Sequence, residues 1–406
     1  MISLLKVVLL IGVLLFLIRK RWDLGLVLLI GAGLTALFFR LSVKGFGQGV
    51  FKGAVSLETL NLVGIFWLVI YLGHFLKKKE YFRIMVDALK RLVPEERLIL
   101  ALPPAFIGLL PMFAGAMLSA PMVEEAGRRW NLEPAKKTFF NYWFRHIWEY
   151  SWPLYANLII AAAILKVPIS RLSLYQFPFT VLAAGVGVVV LFRLVPALPR
   201  EKHDGRALDA VGRLLFSLWP ILLAIVLIFG LRLSMVLALG VTALMTQIVS
   251  RLSLRDRAGL ILKSLDWKSG LLIVSVMIFK KILEVSGALD SVTMAIPPQS
   301  AGAYILLFAA PFIMGWLTGV NQAFVGISFP MLLPIFGAGN PDMVLVMFAY
   351  VSGFVGILLS PVHLCLATTI EYFKSSLRDV YRIMLLPASL VWAAALLALI
   401  VFRVVL

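Results

Sequence analysis

The segment 141–153 holds the densest group of residues that could do chemistry inside an apolar helix. Asn141, Arg145 and Glu149 are spaced i, i+4 and i+8, which predicts one shared helical face, and His146 falls on the neighbouring face. Ionisable side chains inside a membrane are costly and usually face protein or a water-filled cavity. We interpret Arg145 as an anion contact, because its guanidinium is planar and permanently charged. Glu149 and His146 are then candidate proton carriers.

A structural alternative accounts for the same segment without function. Arg145 and Glu149 would form an ion pair along one helix near the membrane interface. The tryptophans Trp143, Trp148 and Trp152 would then form an aromatic belt at the level of the lipid headgroups. Both interpretations place the charged pair in the same helix.

Two serine–proline motifs predict breaks in apolar helices. Ser151 precedes Pro153 closely, and Ser360 is followed by Pro361 and His363. A broken helix frees backbone groups that can bind ions, so Ser151, Ser360 and His363 are candidate site residues, with His363 in proton coupling. A histidine that only packs and hydrogen-bonds is the alternative. The single cysteine, Cys365, is interpreted as a packing residue, so neither a disulfide nor a metal site is expected.

The other candidates lie in two apolar segments, 98–123 and 300–337, that proline and glycine interrupt. Small and polar residues at such interruptions allow the backbone to approach a ligand closely, although they also allow helices to pack tightly. The candidate substrate-binding residues in these segments are Ser119, Thr318, Asn321, Gln322 and Ser328.

The composition predicts an all-α polytopic membrane protein. The chain is 62% hydrophobic and 14% charged, with a mean hydropathy of +1.00. Its net charge of +18 lies in short loops between apolar runs, which is typical of topology signals and of attraction to anionic lipid rather than of nucleic-acid binding. The first apolar run is interpreted as a span, not as a signal peptide, because basic residues follow it directly. Ten spans are predicted near 2–18, 23–39, 57–76, 138–165, 174–195, 213–231, 233–250, 268–286, 342–370 and 383–402.

Charge counting predicts how segments 98–123 and 300–337 sit in the membrane. If both turn back, the basic stretches at 19–21, 77–97, 124–137, 193–213, 251–268 and 374–382 all fall on one side, which is then cytoplasmic, and both termini lie outside. The loops 287–299 and 338–342 on the other side contain no lysine or arginine. We therefore predict two re-entrant hairpins in addition to the ten spans.

Internal similarity predicts two inverted repeats. Ser119 precedes Pro121 as Ser328 precedes Pro330, an offset of 209 residues. Repeat 1 is predicted over 1–195 and repeat 2 over 213–406, joined by a cytoplasmic linker at 196–212. Each has five spans, one hairpin and a broken helix (138–165 or 342–370), and inverted repeats of this kind place the substrate near the membrane midplane.

The hairpin segments Gly108 to Pro121 and Gly315 to Pro330, with the breaks at Pro153 and Pro361, resemble the ion transporter superfamily. That group contains gluconate, citrate, dicarboxylate and arsenite carriers, and the chain looks closest to an uncharacterised bacterial and archaeal branch. The resemblance implies a prokaryotic cytoplasmic (inner) membrane location and is compatible with a homodimer. The Ser-Asn-Thr signatures of the sodium-coupled dicarboxylate carriers do not occur in this sequence. Protons are therefore expected rather than sodium.

The expected function is secondary active transport of a small anionic solute by alternating access, with no enzymatic activity and no cofactor. The sequence contains no phosphate-binding loop of the Gly-x-x-x-x-Gly-Lys-Ser/Thr type, so direct use of ATP is not expected. Alternatives are a carrier of a lipid-linked or phosphate-bearing substrate, an intramembrane enzyme using His146, Glu149 and His363, and a channel.

Overall fold

The computed structural model describes residues 2–93, 95–109, 115–198, 207–298, 300–337 and 339–404. Within these ranges every regular element is a helix. The α-helices are α1 Ile2–Arg19, α2 Leu24–Phe38, α3 Val43–Val55, α4 Leu57–Lys78, α5 Tyr81–Leu92, α6 Leu102–Ile107, α7 Gly115–Gly127, α8 Pro134–His146, α9 Ala156–Leu165, α10 Ile169–Leu194, α11 Ala207–Ile225, α12 Met235–Val249, α13 Leu254–Ser264, α14 Trp267–Val285, α15 Ala288–Ala295, α16 Ala301–Thr318, α17 Asn321–Ala323, α18 Phe329–Phe336, α19 Met343–Leu358, α20 Leu364–Phe373 and α21 Leu377–Val404.

Five helical segments are long and apolar enough to cross a membrane, judged by length and composition. They are Leu57–Lys78, Ile169–Leu194, Leu208–Gly230, Ala301–Thr318 and Leu377–Arg403. Several shorter apolar helices accompany them. The helical fold and these apolar segments indicate a membrane protein. Ala301–Thr318 belongs to the segment that charge counting predicts to turn back, and its length alone would also allow it to cross.

The helices of the two serine–proline segments are interrupted. The chain leaves α8 at His146, makes a 3-10 turn over Ile147–Tyr150 and begins α9 only at Ala156. In the same way α19 ends at Leu358 and α20 begins at Leu364. Proline cannot donate the backbone hydrogen bond that a continuous helix needs, and Pro153 and Pro361 each lie within one of the two gaps.

The two segments rich in proline and glycine are each divided into shorter pieces. In the first, α6 and α7 flank residues 110–114, so this part of the predicted hairpin segment Gly108 to Pro121 lies outside the described residues. In the second, α16 ends at Thr318 and is capped by Gly319, whose φ of 62° is a left-handed conformation that suits glycine. A short α17, a π-helical stretch at Phe324–Ser328 and α18 follow. Residues 199–206 of the predicted linker also lie outside the described ranges.

The divided segments pack against the interrupted helices and against each other. α16 lies along α19, while α6 and α7 contact α8. Across the molecule, α7 contacts α20, and α17 and α18 contact α9. The pieces next to the two gaps therefore meet in one buried region.

Gly315 allows α16 and α19 to approach closely. A Cβ at Gly315 would press on the carbonyl oxygen of Gly353, which belongs to the backbone and has little room to move. We expect Gly315→Ala to lower the free energy of unfolding by about 1–3 kcal/mol, the usual cost of overpacking. Thermal or denaturant unfolding of the purified protein in detergent measures this. Gly185→Ala in α10 is the matched control, because nothing lies within 4 Å of a Cβ there. Equal stability of the two variants would contradict the close approach.

Candidate functional site

A cavity of about 240 Å³ lies where the two gaps and α17 meet. Its apolar part comes from α4 and α9. Its polar part includes Arg145, Glu149, Asn157, Asn321, Gln322 and His363. Residues from both predicted halves of the chain therefore line one cavity.

Arg145 and Glu149 form a buried ion pair at the edge of this cavity. The Arg145 Nη1 and Glu149 Oε1 atoms are 3.4 Å apart, and the two side chains are only 2% and 4% exposed. Arg145 also donates to the hydroxyl oxygen of Tyr155, which in turn donates to the carbonyl oxygen of Gly108 at 2.6 Å. The i, i+4 spacing brings the pair together although Glu149 already lies in the 3-10 turn. The predicted ion pair is thus present, and it also lines the cavity.

Glu149 links the two halves of the chain. Asn321 Nδ2, at the start of α17, donates to its Oε2 atom. The hydroxyl of Tyr350 in α19 donates to its backbone carbonyl oxygen at 2.8 Å. The turn that carries Glu149 is therefore held by groups from α17 and α19. A movement of either half would change the surroundings of the carboxylate.

Two histidines from different halves meet beside the same carboxylate. The Nε2 atoms of His146 and His363 are 3.1 Å apart, and His146 Nε2 is 3.7 Å from Glu149 Oε1. Both imidazoles are buried, and both Nδ1 atoms contact backbone carbonyl oxygens at 2.6 Å, those of Tyr142 and Gly319. All three proposed proton-coupling residues therefore lie together.

Two amide oxygens of the cavity have no hydrogen-bond partner among the described residues. They are the Oδ1 atoms of Asn157, which is fully buried, and of Asn321. A buried acceptor without a partner costs free energy, so these atoms are suited to a donor on a bound molecule or to water. Together with Arg145, the amides offer contacts for a small solute that carries a negative charge and hydroxyl groups.

The other candidate residues are buried but are not among the described residues that line the cavity. Asn141 Nδ2 donates to the Ala116 carbonyl at 2.9 Å, and the hydroxyls of Ser151 and Thr180 are 2.7 Å apart. The remaining hydroxyls bond to backbone carbonyl oxygens. Ser119 bonds to Ala116, Thr318 to Met314, Ser328 to Phe324 and Ser360 to Trp316.

Three residues that shape the site were not predicted from the sequence, namely Tyr155, Asn157 and Tyr350. Asn157 carries the clearest signal, because it is a lone amide in the apolar run that follows Pro153. Tyr350 lies in a continuous apolar stretch and gives no such signal. Trp143, which the alternative interpretation assigns to a membrane belt, is 2% exposed and donates to the carbonyl oxygen of Ala183.

The fold and this site define an all-helical membrane protein with a polar, charged cavity between interrupted helices. The model of the family "Protein of unknown function (DUF401)" matches residues 1–405, so the chain belongs to that family. A search of curated proteins finds no match to this chain.

Proposed function

We propose that this protein is a proton-coupled secondary active transporter that moves a small anionic solute by alternating access. The observation that carries the proposal is the buried Arg145–Glu149 pair, which lines a solute-sized cavity between interrupted helices. Ionisable groups at such positions in membrane proteins mark substrate and ion pathways. Arg145 is the anion contact, with Asn321 and Gln322 beside it.

Reciprocal hydrogen bonds support the inverted repeats. Tyr142 in α8 donates to the carbonyl oxygen of Leu358 at 3.2 Å, and Tyr350 in α19 donates to that of Glu149 at 2.8 Å. The two tyrosines are 208 residues apart in the sequence, and the two acceptors are 209 residues apart. When a twofold axis relates two halves, a contact from the first half to the second is matched by the equivalent contact from the second half to the first.

Helix ends support the same relation. Five pairs of residues with positive φ, each 207 to 211 residues apart, end or separate corresponding helices. Left-handed residues are common at helix ends, so matched positions indicate matched helix lengths. The pairs are Arg21 and Arg232, Arg40 and Arg251, Glu80 and Gly287, Asn131 and Gly339, and Lys166 and Lys374.

The proposed topology combines this relation with the distribution of charge. Repeat 1 covers 1–195 and repeat 2 covers 213–406, with segments 98–123 and 300–337 as re-entrant hairpins of opposite entry side. In this topology the most basic loops face the cytoplasm, and the resemblance to the ion transporter superfamily favours a prokaryotic inner membrane. The resemblance to the ion transporter superfamily supports this arrangement, and the interrupted helices are compatible with it.

Protons are the proposed coupling ion, carried by Glu149, His146 and His363. His146 is within hydrogen-bonding or ion-pairing reach of both other groups, with 3.1 Å between the Nε2 atoms of the two imidazoles and 3.7 Å between His146 Nε2 and Glu149 Oε1. Such a chain of titratable groups between two moving halves can bind a proton in one state and release it in the other.

A lipid-linked or phosphate-bearing substrate is a second candidate, favoured by a separate basic cavity. This cavity has a volume of about 370 Å³, and Lys280 in its wall is 3% exposed and donates to the carbonyl oxygen of Ala163 at 3.1 Å. Clustered ammonium groups attract phosphate. The charged residues that line it are Lys52, Lys166, Lys280, Lys281, Glu58 and Glu284.

Counterflow in proteoliposomes tests the proposed function. Vesicles are preloaded with unlabelled citrate, gluconate, succinate, inorganic phosphate or glycerol 3-phosphate and diluted into the same labelled compound. A carrier accumulates label transiently above equilibrium, because it exchanges one molecule for another, whereas a channel does not. We expect transient accumulation with one of the first three anions. Accumulation only with the two phosphates would favour the second candidate, and uptake that ignores preloading would overturn the carrier model.

Arg145→Gln supplies the specificity control for this assay. The variant keeps a hydrogen-bonding side chain but loses the charge, so we expect counterflow of the transported anion to fall by at least about tenfold, the effect of losing roughly 1.4 kcal/mol of binding. Arg171→Gln, at an exposed position in α10, is the matched variant that should transport normally. Equal transport by the two variants would remove Arg145 from anion binding.

A further inference from the structure

The hydrogen bonds around His146 and His363 leave two acceptor nitrogen atoms facing each other. A carbonyl oxygen has no proton to donate, so each Nδ1 atom, 2.6 Å from such an oxygen, must carry the hydrogen of that bond. In the neutral imidazole the other ring nitrogen is then a lone-pair acceptor. Both Nε2 atoms are therefore acceptors, yet they face each other at 3.1 Å.

Two acceptor lone pairs at this distance repel each other unless a positive charge lies between them. A metal ion satisfies both at once. A zinc ion binds histidine nitrogen at about 2.0–2.1 Å, and two such bonds at the tetrahedral angle separate the nitrogens by about 3.3 Å. The observed separation of 3.1 Å is close to that value.

Further donors surround the same point. The Sγ atom of Cys365 and one ring nitrogen of each histidine all lie within 4.8 Å of one another, and all three residues are buried. The Oε1 atom of Glu149 is 3.7 Å from His146 Nε2 and could be a fourth ligand. Metal-binding histidines usually donate their second ring hydrogen to a carbonyl or carboxylate, as both of these do.

We propose that His146, His363 and Cys365 form a binding site for a borderline-to-soft transition-metal ion, either Zn²⁺ or Cu⁺. Imidazole and thiolate donors select these ions, whereas Mg²⁺ and Ca²⁺ prefer oxygen. On binding, the S–H bond of Cys365 breaks, an S–metal bond forms and one proton is released. The thiolate charge neutralises Cu⁺ completely and half the charge of Zn²⁺.

The site does not depend on the proposed transport function, because metal binding to purified protein is measured without any solute. The metal and a proton shared by the two imidazoles are alternative occupants of the same gap. If both proposals hold, Zn²⁺ will inhibit proton-driven uptake. If the transport proposal fails, the binding measurements below still test the metal site.

Alkylation of the wild-type protein provides the first test. Cys365 is the single cysteine of the chain, so labelling reports on this site alone. Cys365 lines the cavity, which gives a small maleimide a route to it. In detergent we expect equimolar Zn²⁺, or Cu⁺ under anaerobic reducing conditions, to slow N-ethylmaleimide labelling at least about tenfold. Mg²⁺ and Ca²⁺ should have no effect. Equal rates with and without Zn²⁺ and Cu⁺ would overturn the site.

Cobalt spectroscopy of variants provides the second test. Co²⁺ replaces Zn²⁺ and gives a thiolate-to-metal charge-transfer band only when sulfur is a ligand. We expect one Co²⁺ per chain with this band in the wild type, loss of the band in Cys365→Ser, and at least about a tenfold loss of affinity in His146→Gln and His363→Gln. His74→Gln, which alters a half-buried histidine of α4, is the matched control and should bind normally. Unchanged Co²⁺ binding by monodisperse His363→Gln protein would contradict the site.

Discussion

Replacing Glu149 with glutamine is expected to reduce proton-driven uptake to the level of protein-free liposomes. Glutamine has nearly the same shape as glutamate, but its amide cannot take up or release a proton at physiological pH. Uptake of the anion identified by counterflow, driven by an imposed pH gradient, measures the effect. Exchange of labelled for unlabelled anion at equal pH is expected to continue, because it needs no net movement of protons.

The surroundings of Glu149 explain why the variant should fold. Asn321 Nδ2 donates to Oε2, while Asn321 Oδ1 has no partner among the described residues. If the glutamine points its NH₂ group at Asn321, a half-turn of the Asn321 side-chain amide brings its Oδ1 atom into position to accept a hydrogen bond from that group. The glutamine oxygen can still accept a hydrogen bond from Arg145, whose Nη1 atom is 3.4 Å from Glu149 Oε1 in the wild type. The variant keeps its hydrogen bonds but leaves the Arg145 guanidinium without its anionic partner, so it will be less stable than the wild type and uptake is measured only on monodisperse protein.

Glu371→Gln is the control for this experiment, because Glu371 is an exposed carboxylate in α20. It should retain pH-driven uptake. If Glu149→Gln protein transports with an unchanged pH dependence, Glu149 takes no part in coupling. Loss of both uptake and exchange in monodisperse protein would instead assign Glu149 to anion binding or gating and would also contradict the coupling role.

Hydropathy predicted the helices well, because a bilayer span requires a run of apolar residues whose ends are marked by charge. The run predicted at 57–76 is α4, and the run at 268–286 is α14, each correct to within two residues. The interruption near Pro153 follows from proline chemistry. The 3-10 turn before it does not, since no local rule distinguishes a turn at Ile147–Tyr150 from one more turn of α-helix.

Local spacing predicted the Arg145–Glu149 pair but not the histidine pair. Residues four apart in a helix are neighbours by geometry. His146 and His363 are 217 residues apart, and their contact depends on how α8 and α20 cross, which the sequence pattern of either helix does not specify. The proximity of Cys365 to His146 could not be predicted for the same reason, because the two residues are 219 positions apart in the sequence.

Serine and threonine were the least predictable candidates. In a helix these side chains can always bond to the carbonyl oxygen three or four residues earlier, so their presence does not reveal a ligand. Ser328 and Thr318 both bond in this way, to Phe324 and Met314. Amides cannot satisfy both their donors and their acceptor so easily, which makes Asn157 and Asn321 better indicators of a polar cavity.

Removing Arg145 is expected to have the largest effect on stability. Arg145→Met keeps the apolar stem of the side chain but leaves the Glu149 carboxylate buried without its cationic partner. Breaking a buried ion pair in this way costs about 3–5 kcal/mol. Denaturant unfolding in detergent measures the loss, and Arg382→Met gives the comparison. Arg382 pairs with Asp379 at 3.1 Å on the surface, where a pair contributes at most about 1 kcal/mol.

The double variant Arg145→Met/Glu149→Gln separates the value of the pair from the cost of an isolated charge. If the loss in Arg145→Met comes from the unpaired carboxylate, removing that charge should recover part of the stability, and the double variant will be more stable than Arg145→Met alone. If the loss comes from packing and from the contact with Tyr155, the two substitutions will add. Additive losses would show that the attraction between the two charges contributes little to the free energy of unfolding. The presence of the pair in the cavity would then have to be explained by function alone.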